Sequence, residues 1–148
     1  MKQEDKELLI KDLCTRLPYG VKAYVKNWSK LDRKYYEGVY TVESIHPSLN
    51  TILVYSERFS VEVIVGYDDY EIKPYLFPLS SMTEEQKNDC PFNETNLNII
   101  KSNIGYGIIE MPWRLSYLFV DWCNKNHFDY RGLISIGIVN DATGLNIY

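Results

Sequence analysis

The sequence is poor in the residues from which metal centres and disulfide frameworks are built. Among its 148 residues are only two histidines and three cysteines, Cys14, Cys90 and Cys123. Three widely spaced cysteines cannot all pair, so the count favours free thiols in a reducing compartment. A structural zinc site requires four ligands, usually in close pairs, and the sequence offers no second close pair of Cys or His. We therefore predict a cytoplasmic protein without disulfides or a metal.

Long apolar runs and catalytic signatures are also missing. No run approaches the roughly 20 apolar residues that a membrane span requires, and the first residues, MKQEDKELLIKDL, lack the apolar segment of a secretory signal. The phosphate-binding P-loop, G-x-G-x-x-G, G-x-S-x-G and H-E-x-x-H do not occur. We therefore predict no membrane association and no cofactor, and the common enzyme classes lack support.

What the sequence has in quantity is tyrosine, 13 residues in all, together with alternating apolar residues that predict an α+β domain. Residues 3–16 carry leucines at helical spacing, and residues 21–78 contain five short runs of β-branched and aromatic residues. The connections between these runs are too short for crossover helices. We therefore predict a small antiparallel sheet or SH3-like barrel of about five strands, with Pro74 and Pro78 confining the fifth strand to an edge.

The C-terminal part is predicted to be helical. Thr83 and Gln86 have the spacing of a capping box, which begins a short helix. Residues 112–126 are apolar around most of a helical circumference, which is typical of a buried helix. Residues 97–110 fit either a strand or a helix. No composition shift marks a boundary, so we expect residues 1–148 to form a single domain.

The segment DWCNKNHFDYRGLI, residues 121–134, suggests a reactive or metal-binding pair. Cys123 and His127 are four residues apart, a spacing that suits two zinc ligands or a thiol nucleophile with its base. However, Cys123 follows Trp122 in a largely apolar helix, where burial raises a thiol pKa. Flanking asparagines place His127 just beyond the helix end. We therefore predict a buried thiol, a histidine that caps the helix, and no catalytic residue.

Asp129 and Arg131 are expected to have structural roles. Asp129 is placed to cap a last short helix that extends through Ile134 and ends at Gly137. Arg131 can pair with Asp129 or with Asp121. Neither residue is assigned to a binding site.

The candidate binding surface is the basic and aromatic stretch VKAYVKNWSKLDRKYY. Residues 17–36 carry five lysines and arginines against one aspartate. Cations for phosphates and flat rings for bases are what single-stranded nucleic acid requires. Yet lysines alternating along a strand also form ordinary solvated faces, and a pI of 5.2 is far from basic. The candidate residues are Lys22, Tyr24, Lys26, Trp28, Lys30, Arg33, Lys34, Tyr35 and Tyr36.

Several segments, IKPYLFPLSSMTEEQ, NKNHFDYRGLI, LLIKDLCTRLPYGVK and ATGLNIY, resemble a group of small uncharacterised proteins encoded by gut Bacteroidetes and by their phages and mobile elements. The resemblance implies a small accessory protein inside a bacterial host and no particular chemistry. We expect a non-catalytic protein that binds another protein in the cytoplasm. One alternative is a protein that binds nucleic acid or a small nucleotide through residues 22–36, for example to sequester a nucleotide signal of host defence. The other alternative is an enzyme that depends on Cys123 and His127.

Overall fold

The computed structural model describes residues 1–29, 34–56, 60–64, 70–91 and 113–148, and they form an α+β fold as predicted. Among these residues no helix is long and apolar enough to cross a membrane. The described elements, in chain order, are α1 (Gln3–Arg16), β1 (Lys22–Ser29), β2 (Lys34–His46), β3 (Thr51–Tyr55), β4 (Ser60–Ile64), β5 (Tyr70–Pro78), α2 (Glu84–Asp89), α3 (Trp113–Lys125), β6 (Phe128–Asp129) and β7 (Asn140–Asp141).

The strands form one open sheet in the order β4-β3-β2-β1-β5-β6, and β7 also pairs with β5. The five strands predicted over residues 21–78 are confirmed, and each is antiparallel to its neighbours. The two-residue strands β6 and β7 run parallel to β5, so the sheet is mixed. The SH3-like barrel alternative is wrong, because the sheet is open: β4 pairs with β3 and, among the described residues, not with β5.

The prediction that β5 forms an edge holds for part of the strand, because residues 70–74 pair with β1 alone among the described residues. β1 pairs with β5 up to Pro74, and the short strands β6 and β7 pair with residues 75–78. Pro74 lies at the last pair of the first ladder and Pro78 is the last residue of β5. Neither proline therefore interrupts the interior of a ladder, which is where a missing N–H group would be costly.

The β1–β2 hairpin is longer than the sequence predicted. The polar composition of residues 29–36, SKLDRKYY, predicts a connection between two short strands, but the ladder runs from Lys22 opposite Thr41 to Ser29 opposite Lys34. Backbone pairing extends here through charged residues because the ladder hydrogen bonds do not depend on side-chain polarity. Two of the candidate binding residues, Lys30 and Arg33, lie outside the described residues.

The main core lies between α1 and one face of the sheet. Along β1 and the residue that precedes it, Val21, Ala23 and Val25 have no exposed surface, whereas the intervening Lys22 and Tyr24 are half-buried on the opposite face. This alternation is the period of two that a strand imposes on its side chains. The other buried residues of this core include Leu9, Leu13, Tyr40, Val42, Ile52, Val54, Ile72, Leu76, Leu133 and Val139.

A second apolar cluster lies around α3. Phe119 and Cys123 have no exposed surface, and Phe128 is 1% exposed. The indole of Trp122 stacks on the Phe128 ring with centroids 5.3 Å apart. The Trp122 indole N–H donates to a carboxylate oxygen of Asp89 at 3.0 Å, which links α3 to the end of α2. The predicted helix is thereby confirmed and one of its faces forms a second core, but Tyr117 and Leu118 are exposed, so the helix is not buried all round.

One helix boundary is confirmed in detail, and one predicted helix does not form. At the start of α2, the Gln86 amide N–H donates to Thr83 Oγ1, and the Gln86 side chain accepts from the Thr83 N–H, which completes the capping box. After Asp129, residues 133–137 form turns instead of a helix. Gly132 and Gly137 both have positive φ, of 75° and 77°, and leave too few residues between them for an α-helix.

Asp129 nevertheless caps this turn as expected. Its carboxylate accepts from the backbone N–H groups of Arg131, Leu133 and Ile134 at 3.2, 2.9 and 2.8 Å. These three bonds give acceptors to backbone N–H groups at the start of the turn, as a cap does at the start of a helix.

Candidate functional site

The sheet face opposite α1, here called the outer face, carries three of the candidate binding residues. Lys22, Tyr24 and Lys26 occupy alternate positions on the central strand β1. The strand register aligns them with residues of β2 and β5, and Thr41 of β2 aligns with Tyr55 of β3. The outer face consists of Lys22, Tyr24, Lys26, Glu37, Val39, Thr41, Leu53, Tyr55, Glu71, Lys73 and Tyr75.

The cations of the outer face are matched by neighbouring acceptors. The Lys22 ammonium donates to Thr41 Oγ1 at 2.7 Å. Lys26 lies between two glutamates, because the register places it opposite Glu37 on β2 and opposite Glu71 on β5. Lys73 forms an ion pair with Glu71 at 3.2 Å. Cross-strand pairs of opposite charge stabilise a sheet, and they leave this face without a strong field of one sign.

Tyr24 is tied into the same network. Its hydroxyl donates to Glu37 Oε1 at 2.8 Å. Burial, assisted by this hydrogen bond, raises the pKa of Tyr24 to about 12, so the phenol stays neutral at physiological pH. The residue acts as a fixed, uncharged ring on the face.

Two apolar side chains stand out at the centre of the outer face. Val39 and Tyr55 each expose 47% of their surface. Val39 lies opposite Tyr24 across β1 and β2, and Tyr55 lies opposite Thr41 across β2 and β3. The outer face therefore combines two exposed apolar side chains with the charged residues of β1 and β5.

Of the remaining candidate residues, Tyr36 does not belong to the outer face. Tyr36 lies opposite Asn27, which is buried on the α1 side of the sheet, so Tyr36 has its register position on the opposite face. The backbones of Lys34 and Tyr35 pair with Ser29 and Trp28 at the far end of the hairpin. The single surface predicted from the linear stretch is therefore divided between two faces.

The Cys123–His127 pair does not have the surroundings of a reactive centre. Cys123 has no exposed surface. Burial is the main cause that raises the pKa of its thiol, and the nearby Cys90 raises the pKa further. A nucleophilic cysteine requires an accessible thiolate, which such burial disfavours. The expected burial of Cys123 is confirmed.

His127 ends α3, as expected. It lies two residues beyond Lys125 with φ of 57°, and its backbone N–H donates to the Asn124 carbonyl at 3.3 Å. This left-handed residue just after the helix is in the position usually taken by glycine. The imidazole stacks on the Tyr148 ring with centroids 3.8 Å apart and 11° between planes. Burial, and then the nearby Arg16, lower the pKa of His127 to about 4.

A buried ion pair that the sequence analysis did not single out joins the two cores. Asp12 and Arg16, one turn apart on α1, have no exposed surface, and their side chains meet at 2.7 and 3.3 Å. The Arg16 guanidinium also donates to the carbonyls of Phe128 at 2.9 Å and Cys123 at 3.4 Å. Arg16 thereby supplies a cation and hydrogen bonds at the C-terminal end of α3, where free carbonyls and the helix dipole favour both.

Arg131 completes this buried cluster. Its guanidinium pairs with Asp12 at 3.0 Å, so the expected side-chain pairing with Asp129 or Asp121 is wrong. Asp129 is already engaged by backbone N–H groups, and Asp121 accepts from the Tyr19 hydroxyl at 2.5 Å. The ring of Tyr130 lies beneath both guanidinium groups, 4.8 Å from Arg131 and 5.3 Å from Arg16.

Comparisons with known proteins add no assignment: no protein-family model, curated protein or solved structure matches the chain. Within the described ranges, no three His, Cys, Asp or Glu side chains lie close enough together to hold a metal ion. The outer face is consequently the surface on which a functional argument can be built.

Proposed function

We propose that this protein is a non-catalytic binding protein that contacts another protein through the outer face of its sheet. The observation that carries the proposal is the composition of that face, in which Val39 and Tyr55 of β2 and β3 are exposed beside strands whose lysines and glutamates are aligned with one another. Protein interfaces place aromatic and aliphatic contacts at the centre and polar groups at the rim. In keeping with the resemblance noted above, the binding would take place in the cytoplasm of a bacterium, for a phage or mobile element.

The charge pattern favours a protein over nucleic acid or a nucleotide. Phosphate binding requires cations free to replace counterions. On the outer face, Lys26 lies between Glu37 and Glu71, and Glu71 is also paired with Lys73. A polyanion approaching this face would meet two carboxylates beside these lysines. With three lysines against two glutamates, the face has only a small positive excess, which suits a partner recognised by shape and apolar contact.

The environment of Cys123 supports a non-catalytic role. The thiol has no exposed surface, and burial raises its pKa. The nearby His127 stacks its ring on Tyr148, and its low pKa keeps it neutral at physiological pH. A buried neutral thiol is an ordinary core residue.

Site-specific photo-crosslinking in the host cell tests the proposal. A photoreactive phenylalanine analogue replaces Tyr55 at the centre of the outer face. The matched control carries the same analogue at Tyr117, a tyrosine on α3 that is 67% exposed. We expect a discrete protein adduct from position 55 and none of the same mass from position 117.

The nature of the adduct decides between the classes of partner. A protease-sensitive adduct of fixed mass from position 55 supports a protein partner. An adduct that nuclease removes, or identical adducts from both positions, would contradict the assignment of the outer face. Adding Val39→Glu to the position-55 variant should abolish the adduct, because a buried charge without a partner opposes binding at the centre of an interface.

A further inference from the structure

Tyr148 occupies a gap where two strands would otherwise pair directly. The ladder between β1 and β5 ends at Ala23 opposite Pro74, and the next residues along the two strands are Lys22 and Tyr75. Their backbone groups are joined through the Tyr148 hydroxyl. This hydroxyl accepts from the Lys22 N–H at 3.0 Å and donates to the Tyr75 carbonyl at 2.7 Å. A hydroxyl can bridge such a donor and acceptor because it is both at once.

The ring of Tyr148 is held on two sides by aromatic groups. The His127 imidazole stacks on it at 3.8 Å, and the Phe77 ring lies at 5.9 Å with an interplanar angle of 53°. Both neighbours belong to fixed elements, since the Phe77 N–H donates to the His127 carbonyl at 2.9 Å. We call the Lys22 N–H, the Tyr75 carbonyl and the rings of His127 and Phe77 the phenol slot.

The segment that supplies Tyr148 is held loosely. Residues 143–146 are exposed, and Tyr148 itself is 41% exposed. The backbone N–H groups of this segment make local bonds, from Thr143 to the Asp141 carboxylate and from Leu145 to the Ala142 carbonyl. The walls of the phenol slot, in contrast, belong to β1, β5 and the turn after α3. Opening of the slot therefore breaks the contacts of Tyr148 itself, whereas residues 143–146 have little buried surface to lose.

We propose that the phenol slot is a binding site for a tyrosine side chain, filled here by Tyr148 and open to a tyrosine of another chain when residues 143–148 move away. The ligand class follows from the walls: a flat ring fits between two aromatic groups, and a para hydroxyl satisfies the paired donor and acceptor. A phenylalanine ring would fit equally well but would leave the Lys22 N–H and the Tyr75 carbonyl unpaired. The proposal does not depend on the outer face.

Binding of small probes to the Tyr148→Ala variant tests the slot. N-acetyl-tyrosinamide is titrated against this variant, the wild type and Tyr117→Ala, while NMR follows the Lys22 amide. We expect saturable binding, with a Kd on the order of millimolar, to Tyr148→Ala alone. N-acetyl-phenylalaninamide should bind at least about tenfold more weakly, because it cannot pair the two backbone groups.

Several results would overturn the proposal. They are failure of folded Tyr148→Ala to bind the tyrosine probe, equal affinity for both probes, or equal binding to the Tyr117→Ala control, in which Tyr148 is intact.

Hydrogen exchange of the wild-type protein tests the opening of the slot even if the variant does not fold. Loss of Tyr148 from the slot exposes the Lys22 N–H without unfolding the sheet. We expect the Lys22 amide to exchange at least about tenfold faster than the Val25 amide in the same strand, at a rate that low urea does not change. Exchange of both amides at one urea-dependent rate would show that Tyr148 leaves the slot only on global unfolding. That result would contradict the proposal that Tyr148 can be displaced from a folded protein.

Discussion

The lowered pKa of His127 predicts a specific loss of stability in mild acid. The imidazole is 8% exposed, its pKa is lowered to about 4 by burial and by Arg16, and its ring is stacked on Tyr148. In the unfolded chain the same group titrates near 6.5. As the pH falls below about 6.5, the unfolded chain binds a proton that the folded protein does not.

The sign and size of the effect follow from this difference. The folded pKa is the lower one, so the contribution of His127 is fully present above pH 6.5 and is lost as the pH falls towards about 4. At about 1.4 kcal/mol for each pK unit, the loss amounts to roughly 3 kcal/mol. A typical domain is stabilised by only about 10 kcal/mol, so this loss is a large part of the total.

Urea unfolding at a series of pH values between 7 and 4 measures this loss. The variant His127→Asn removes the titrating group, and asparagine tolerates the left-handed backbone at this position. The control is His46→Asn, because His46 is the other histidine and is exposed. We expect the stability of the wild type relative to His127→Asn to fall by about 3 kcal/mol over this range. An unchanged difference between the wild type and His127→Asn would refute the reasoning.

Three further predictions concern the buried residues and the helix cap. Arg16→Met should lower the free energy of unfolding by about 3–5 kcal/mol in urea titrations, because it leaves the buried Asp12 without one of its partners. Adding Asp12→Leu should restore part of this stability. Equal losses for the single and double variants would contradict the pairing. In native protein, a thiol reagent should label Cys14 rapidly and Cys123 only after urea is added, as read by peptide mass spectrometry, and fast labelling of Cys123 would revive a catalytic interpretation. Thr83→Ala should cost about 1 kcal/mol by removing the capping box at α2, whereas Thr83→Ser should cost far less in the same denaturation assay.

Local periodicity was sufficient to predict the regular elements. The leucine spacing of α1, the apolar circumference of α3 and the capping box at Thr83 are patterns within one helix. The five main strands follow from alternation over a few residues. The two short parallel strands could not be predicted, because Phe128 and Asn140 pair with β5 only after distant segments have packed.

The burial of Asp12 and Arg16 could have been predicted from their spacing in the sequence. Asp12 and Arg16 share the helical stripe of Leu9 and Leu13, which signals that both charges face the core. What the sequence could not supply is the far side of the contact. The carbonyls that Arg16 binds, at Cys123 and Phe128, lie 107 and 112 residues away.

The outer face was predicted only in part for a similar reason. The alternating lysines of β1 were visible in the sequence, but the glutamates opposite them come from β2 and β5. Strand register decides whether such lysines form a basic patch or a neutral face, and register depends on the whole sheet. The position of Tyr148, which bridges residues 126 and 73 positions away, had no local signal at all.

The most direct test of the proposed function is the affinity of the partner captured through position 55. Its Kd is measured for the wild type, Val39→Asp and the exposed control Tyr117→Asp, each at low and at physiological salt. The account predicts at least about a tenfold loss of affinity, about 1.4 kcal/mol, for Val39→Asp alone, and only a weak salt dependence. Equal affinities for the wild type and Val39→Asp, or a steep fall with salt as in phosphate binding, would contradict it.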